Sequence, residues 1–285
     1  MAIRTLKKMA QNPQTFNEKV TYKMAFDRRD LLTEIADKVR VRDYVEARVG
    51  DKYLSKLFDI VDRLPSERPD YLPQNFAVKS THGCGGSVFV WEKAPKIELP
   101  TDLKEIFWQR FLIHPENLEW EQLVALSDKW MKQSYYWGVG RFPEWAYKNI
   151  EPQIILEELH NNSEGALPND LRFFMFDGKC ELIMVDTPRI LAPTKRDLYD
   201  SQWNRLDAEH RFERSEHGSP KPDELEEMLE VAEALSQGLD FVRVDLYATN
   251  KGIKFGELTS YPGAGNGEFR PHSFDTWLGS KWKLP

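Results

Sequence analysis

This sequence predicts an α+β fold with antiparallel sheets. Two apolar runs, 171–176 and 181–186, flank Asp177-Gly178, a dipeptide that closes tight hairpins. Two further runs, 241–247 and 253–258, bracket Asn250-Lys251-Gly252. Stretches of helical periodicity are interspersed among the strands and do not alternate regularly with them, which argues against a parallel βαβ sheet.

The 285 residues suggest about two compact units. With 41% apolar and 30% charged residues, the chain has the means to bury a sizeable core. A net charge of −7 argues against a protein that coats nucleic acid, which would show a basic excess. Cys84 and Cys180 stand far apart and in no metal-type spacing, so reduced thiols in a cytoplasm are expected. The basic start, Lys7 and Lys8 included, has no apolar run behind it, so no signal peptide is expected. No window approaches the ~20 apolar residues of a membrane span.

The elements follow in order. Leu31, Leu32, Ile35, Val39 and Val41 form an apolar stripe that predicts one helix over 30–50. Pro65, Pro69 and Pro73 break the chain. Residues 75–80 and 87–91 read as strands joined by a glycine-rich loop at 81–86. Two helices are expected at 102–113, with Thr101 as N-cap, and at 118–133. An aromatic segment from Tyr135 to Pro143 leads to a buried-type strand at 153–159. Residues 187–218 read as a long polar loop. A helix over 222–237 stops at Gly238, and a glycine-rich tail follows the last hairpin.

That last hairpin carries the chemistry. Along 241–247, Val242, Val244 and Leu246 face one way, and Arg243, Asp245 and Tyr247 the other. A three-residue turn at 250–252 pairs Thr249 with Ile253, which sets Asp245 opposite Glu257 and Arg243 opposite Thr259. Directly opposed residues share a face, with Cβ atoms ~5 Å apart. Two such carboxylates repel unless a cation lies between them, and oxygen donors at this separation suit Mg²⁺. A two-residue turn would put Glu257 on the other face.

Upstream, Lys79 sits on a strand that runs into Thr81-His82-Gly83-Cys84-Gly85-Gly86-Ser87. Glycines admit backbone N–H groups close to an anion, and an ammonium adds a point charge. The loop joins strand to strand and lacks the Walker pattern. Glu157 and Glu158 end a strand whose free backbone groups suit an adenine edge, with acids for ribose hydroxyls.

In this order the motifs resemble the ATP-grasp superfamily, and within it the group named for teichuronopeptide biosynthesis proteins. The resemblance spans about 37–265. It is carried by Asp37-Lys38 with Val41-Arg42-Asp43-Tyr44-Val45, Val78-Lys79-Ser80-Thr81-His82-Gly83, Tyr147-Lys148-Asn149-Ile150-Glu151-Pro152, Ile155-Leu156-Glu157-Glu158, Arg243-Val244-Asp245, and Glu257-Leu258-Thr259 with Pro262-Gly263. It implies two α+β subdomains clamping ATP: a small one at 71–158 and a large one at 159–285, after a reduced helical region at 1–70. It implies that Lys38, Lys79 and the loop at His82, Gly83, Gly85, Gly86 and Ser87 meet the phosphates. Glu157, Glu158 and Leu159 would line the adenine, with Glu164 a further ribose candidate. Arg243, with Lys79, would serve the transferring phosphate, and Asp245, Glu257 and Thr259 would hold Mg²⁺ (or Mn²⁺). Thr259 departs from the asparagine common at that position.

The activity implied is ATP-dependent joining of a carboxylate to an amine through an acylphosphate, in cell-surface polysaccharide biosynthesis, with no nucleic-acid partner. Arg189, Lys195, Arg196 and Gly263 are nominated for the acceptor carboxylate. Two other readings stay open. One is phosphotransfer to a hydroxyl. The other is a non-catalytic nucleotide- or sugar-binding module, for which Tyr135, Tyr136, Trp137, Phe142 and Trp145 suit saccharide stacking.

Overall fold

The computed structural model describes residues 2–138, 142–188 and 193–285. The chain opens with helices α1 (Ala2–Met9), α2 (Phe16–Phe26), α3 (Asp30–Ala36) and α4 (Arg40–Val49). Strands β1 (Leu57–Val61), β2 (Phe76–Ser80), β3 (Ser87–Val90) and β4 (Arg110–Ile113) follow. Then come α5 (Trp120–Met131), α6 (Tyr135–Gly138) and β5 (Ile154–Glu158). The second half holds β6 (Asp170–Phe176), β7 (Lys179–Asp186), β8 (Arg196–Tyr199), β9 (Glu209–His210), α7 (Leu225–Ser236), β10 (Phe241–Thr249), β11 (Gly252–Thr259), β12 (Phe269–Arg270) and α8 (His272–Ser280).

Two five-stranded sheets result, ordered β1-β5-β2-β3-β4 and β11-β10-β6-β7-β8. Every pairing in them is antiparallel except β3 with β4. The expected α+β class with antiparallel sheets is therefore the observed one. The first sheet recruits β1, from before the proline-rich break, as the edge partner of β5.

Each sheet buries its own core. Val78, Val88, Ile154 and Leu156 of the first sheet pack on Leu123, Leu126 and Trp130 of α5. Phe174, Phe176 and Phe241 of the second pack on Phe16 of α2 and on Trp282, with ring centroids 5.0 to 6.1 Å apart for most pairs. Helix α2 begins on a capping box in which the Thr15 hydroxyl accepts from Glu18 N–H and Glu18 accepts from Thr15 N–H.

Four expectations are corrected. The single helix over 30–50 is two, because Asp37 leaves the helical backbone and its carboxylate accepts from Val39 N–H at 2.9 Å. Residues 102–113 form no helix. The Asp102 side chain instead closes a turn on Lys104 N–H at 3.0 Å, and the aromatic run after it ends in β4. The loop over 187–218 contains β8 and β9. The three-residue hairpin turn is a two-residue one, with Thr249 opposite Gly252.

That last change would by itself have shifted every partner by one and turned Glu257 away. A bulge cancels it. Between Asp245 and Leu246 the register slips, Gly256 is left without a partner, and Asp245 still faces Glu257 while Arg243 faces Thr259.

Candidate active site

A cleft opens between the two sheets. Its first wall is built by β2 and β5. Lys79 lies opposite Ile155 and Ala77 opposite Glu157, so Lys79 and Glu157 are diagonal neighbours on one face. The Lys79 ammonium donates to Glu157 Oε1, and Arg42 stands 3.9 Å from Oε2. Burial pushes the Glu157 carboxyl up, but the charge and hydrogen bond of Lys79, with the Arg42 and His160 charges, together more than offset it and the group lies below its ordinary value. The second wall is β11, which contributes Phe255, Gly256, Glu257 and Leu258. Ile35, Lys38, Val41 and Arg42, with Leu54 and Ser55, close the back. Lys38, Lys79, Glu157 and Glu257 therefore line a single cleft, together with apolar residues such as Val41, Leu54, Ile155 and Phe255.

Lys38 sits in the α3–α4 break that the sequence did not show. Its ammonium donates to the Gly83 carbonyl, which ties the break to the glycine loop. Burial lowers its pKa, and Glu257 is among the charges that hold it up. The loop's glycines are explained by Trp108. A Cβ on Gly83 would meet the Trp108 ring at 2.5 Å, and one on Gly85 would meet the Trp108 carbonyl oxygen at 2.3 Å. Gly86 closes the β2–β3 turn, its carbonyl accepting from Ser80 N–H at 2.9 Å, and Ser87 is buried. His82 is turned from the cleft: its Nε2 lies 3.1 and 3.2 Å from the carbonyls of Trp130 and Gln133 at the end of α5.

The carboxylate face forms as the pairing required. Arg243 Nε donates to Asp245 Oδ1 at 2.6 Å and its Nη2 to Asp245 Oδ2 at 2.7 Å. The same Nη2 donates to Glu257 Oε1 at 2.5 Å, and Thr259 Oγ1 donates to that oxygen at 3.1 Å. Burial, then the facing Glu257 charge, pushes Asp245 up to about 6 against the pull of Arg243. Glu257 goes the other way, to about 2, because Arg243 and Lys38 more than offset its burial. Arg172, on the neighbouring β6, reaches Asp170 at 3.0 Å, Asp186 at 2.8 Å and Asp245 at 3.5 Å.

This donor set fits a hard divalent cation in part. Asp245 and Glu257 share one guanidinium nitrogen of Arg243, and the Thr259 hydroxyl lies on Glu257. Among the described residues no group of three or more His, Cys, Asp or Glu stands at metal-ligating separation. Mg²⁺ suits such a site because it takes one or two carboxylates and completes its shell with phosphate oxygens and water.

The remaining nominated residues scatter. Glu158 pairs with Lys251 at the hairpin tip and lies 3.9 Å from His160. Leu159 is half-buried beyond it, and Glu164 is exposed in a turn closed by Asn162. Arg196 is buried on Asp186, donating to both oxygens at 2.5 Å, and Lys195 is held by Glu213 at 2.7 Å. Arg189 lies outside the described residues. Gly263 follows β11, and its carbonyl accepts from Arg211 at 3.3 Å.

Sequence reasoning missed several participants. Arg42, Phe255 and Tyr147 line the cleft. Arg172 was readable, because period-two alternation puts it on one face with Asp170. Glu144 had no signal. It is buried near Tyr135, and burial followed by the Glu257 charge pushes it up to about 8. Among the described residues no helix is long and apolar enough to cross a membrane.

No curated protein matches the sequence. Solved structures that resemble it include D-alanine–D-alanine ligase from Bacillus anthracis complexed with ATP, at 11% identity and a TM-score of 0.46, covering 88% of this chain and 63% of that one. Another is the ATP-grasp ligase PsnB complexed with a minimal precursor, at 10% identity and a TM-score of 0.39, covering 81% and 53%. A third is a Chryseobacterium gregarium RiPP-associated ATP-grasp ligase with ADP and a leader and core peptide, at 11% identity and a TM-score of 0.38, covering 86% and 59%. The chain thus spans less than two thirds of the length of each. The family model described as TupA-like ATPgrasp matches residues 18–283, nearly the whole sequence, and the chain belongs to that family.

Proposed function

We propose that the protein is an ATP-dependent carboxylate–amine ligase whose nucleotide lies in the cleft between the two sheets. One observation carries the reading: Lys38, Lys79, Glu157 and Glu257, from four separate segments, line that one cleft. Its apolar lining, with Val41, Leu54, Ile155 and Phe255, suits a purine ring. Lys38 and Lys79 would exchange Gly83 and Glu157 for phosphate oxygens.

Mg²⁺, held by Asp245, Glu257 and Thr259, would supply charge neutralisation at the β- and γ-phosphates. The chain's own part is positioning. Arg243, fixed by two carboxylates, is aimed at the transferring phosphoryl group. A substrate carboxylate oxygen attacks the γ-phosphorus, the bond to the bridging oxygen breaks, and ADP leaves. The amine then attacks the acyl carbon, inorganic phosphate departs, and the amine loses a proton. Positioning and charge stabilisation suffice for such a transfer without a serine, cysteine or histidine nucleophile. The family association favours a sugar acid and an amino acid as co-substrates, in cell-surface polysaccharide biosynthesis.

Isothermal titration with MgATP tests the site, and absence of binding removes the reading. ADP release across pairs of uronic and amino acids tests the reaction. Release with a hydroxyl compound alone, forming a stable phosphate ester, would identify a kinase.

A further inference from the structure

Four guanidinium groups gather where β10 starts and β11 ends, and three are already neutralised. Arg196 is held by Asp186, Arg172 by Asp170 and Asp186, and Arg243 by Asp245 and Glu257. The fourth, Arg211, has no carboxylate within ion-pair distance among the described residues. Its partner is a neutral carbonyl, that of Gly263 at 3.3 Å. The residue is exposed, and partial desolvation, then the like charges of Arg196 and Arg243, lowers its pKa. An anion placed there would remove that repulsion.

The backbone is shaped around this side chain. Arg211 has φ +61°, a left-handed conformation that a non-glycine residue adopts only when its surroundings impose it. Arg211 is the middle residue of a tight turn closed by Phe212 N–H on the His210 carbonyl at 2.7 Å, and its own N–H donates to the Glu268 carbonyl at 3.3 Å. Gly263 gives way to it, since a Cβ there would lie 2.5 Å from Arg211 Nη2. The turn Pro262–Gly265 starts three residues after Thr259, which faces Arg243. Arg211 thus stands at the end of the sheet that carries the carboxylate face.

We propose that Arg211, with the Pro262–Gly265 turn, binds a carboxylate group of the co-substrate beside Arg243. The inference rests on the ligase reading and replaces Lys195 and Arg196, whose charges are already paired. A planar guanidinium with free N–H groups matches a carboxylate in two-point contact.

The test is titration calorimetry on protein saturated with MgADP. The probes are D-glucuronate, D-galacturonate and L-glutamate, with D-glucose as the uncharged control. At least one carboxylate is expected to bind the wild type and glucose not to. Arg211→Ala should weaken that binding at least about tenfold, or about 1.4 kcal/mol, and Arg211→Lys should weaken it less. Both variants should keep the wild-type affinity for MgADP, which also reports that they fold. Equal carboxylate affinity in wild type and Arg211→Ala overturns the proposal, as does a wild type that binds no carboxylate probe. Failure of the wild type to bind MgADP would instead overturn the ligase reading on which it rests.

Discussion

Asp245 faces Glu257 across the β10–β11 ladder because Gly256, the residue before Glu257, is skipped in the register and has no partner. A Cβ on Gly256 would lie 2.7 Å from Tyr247 Cε2 and 3.1 Å from the Asp245 carbonyl oxygen. Gly256→Val should therefore force the bulge out of register. We expect a loss of about 1–3 kcal/mol in urea unfolding, the range for overpacking, together with a clear loss of MgATP affinity by calorimetry. A valine variant that binds MgATP like the wild type would show that the bulge does not position the carboxylates.

Arg243 neutralises two buried or half-buried acids at once. Removing it leaves Asp245 with only Arg172, at 3.5 Å. Arg243→Met should cost about 3–5 kcal/mol, as for other broken buried pairs. Adding Asp245→Asn should recover part of that loss. A double variant no more stable than the single one would mean that the two charges are not coupled.

Lys79 is paired with Glu157. Lys79→Met should weaken ATP binding by more than about tenfold, or about 1.4 kcal/mol, and leave adenosine binding unchanged. Equal losses for both ligands would place the ammonium at the base or sugar and not at the phosphates.

Glu144 gives the chain a pH signature. Its carboxyl is pushed up to about 8 from 4.5 by burial and by Glu257. An acid raised on folding stabilises the protein when protonated. Its contribution is complete below about pH 4.5 and is lost as pH rises to about 8, with a slope of up to about 1.4 kcal/mol per pH unit. Thermal unfolding from pH 5 to 8 should show wild type losing stability relative to Glu144→Gln. Parallel curves for the two proteins would remove Glu144 from this role.

Much of this was legible in the sequence, for a physical reason. Period-two alternation fixes the face of a side chain, so Arg243, Asp245, Glu257 and Thr259 could be grouped from spacing alone, whereas Lys79 and Glu157 joined them only through the family resemblance. What was not legible depends on contacts distant in sequence. The turn at 250–252 was read one residue too long, and the partnerless Gly256 cancelled the error. Asp37 broke a helix whose apolar stripe runs through the break. The run 106–113 has the apolar content of a helix, and its pairing with β3 decides otherwise. Arg196 and Lys195 looked available because the sequence does not reveal that Asp186 and Glu213 hold them.

The aromatic cluster around Phe16 has a consequence for synthesis. Phe16 emerges before the first sheet, while its ring partners Phe174, Phe176, Phe241 and Trp282 emerge only after that sheet is complete. The first sheet and α5 need no such wait, since residues 57–158 supply that core themselves. On the ribosome the middle of the chain can therefore fold first, while the opening helices stay without their partners until the closing tryptophan arrives. Closing such sequence-distant contacts is slow and leaves apolar surface exposed meanwhile. Truncation near Trp282 should therefore be felt first by α2, some 260 residues upstream, and not by the strands next to the cut.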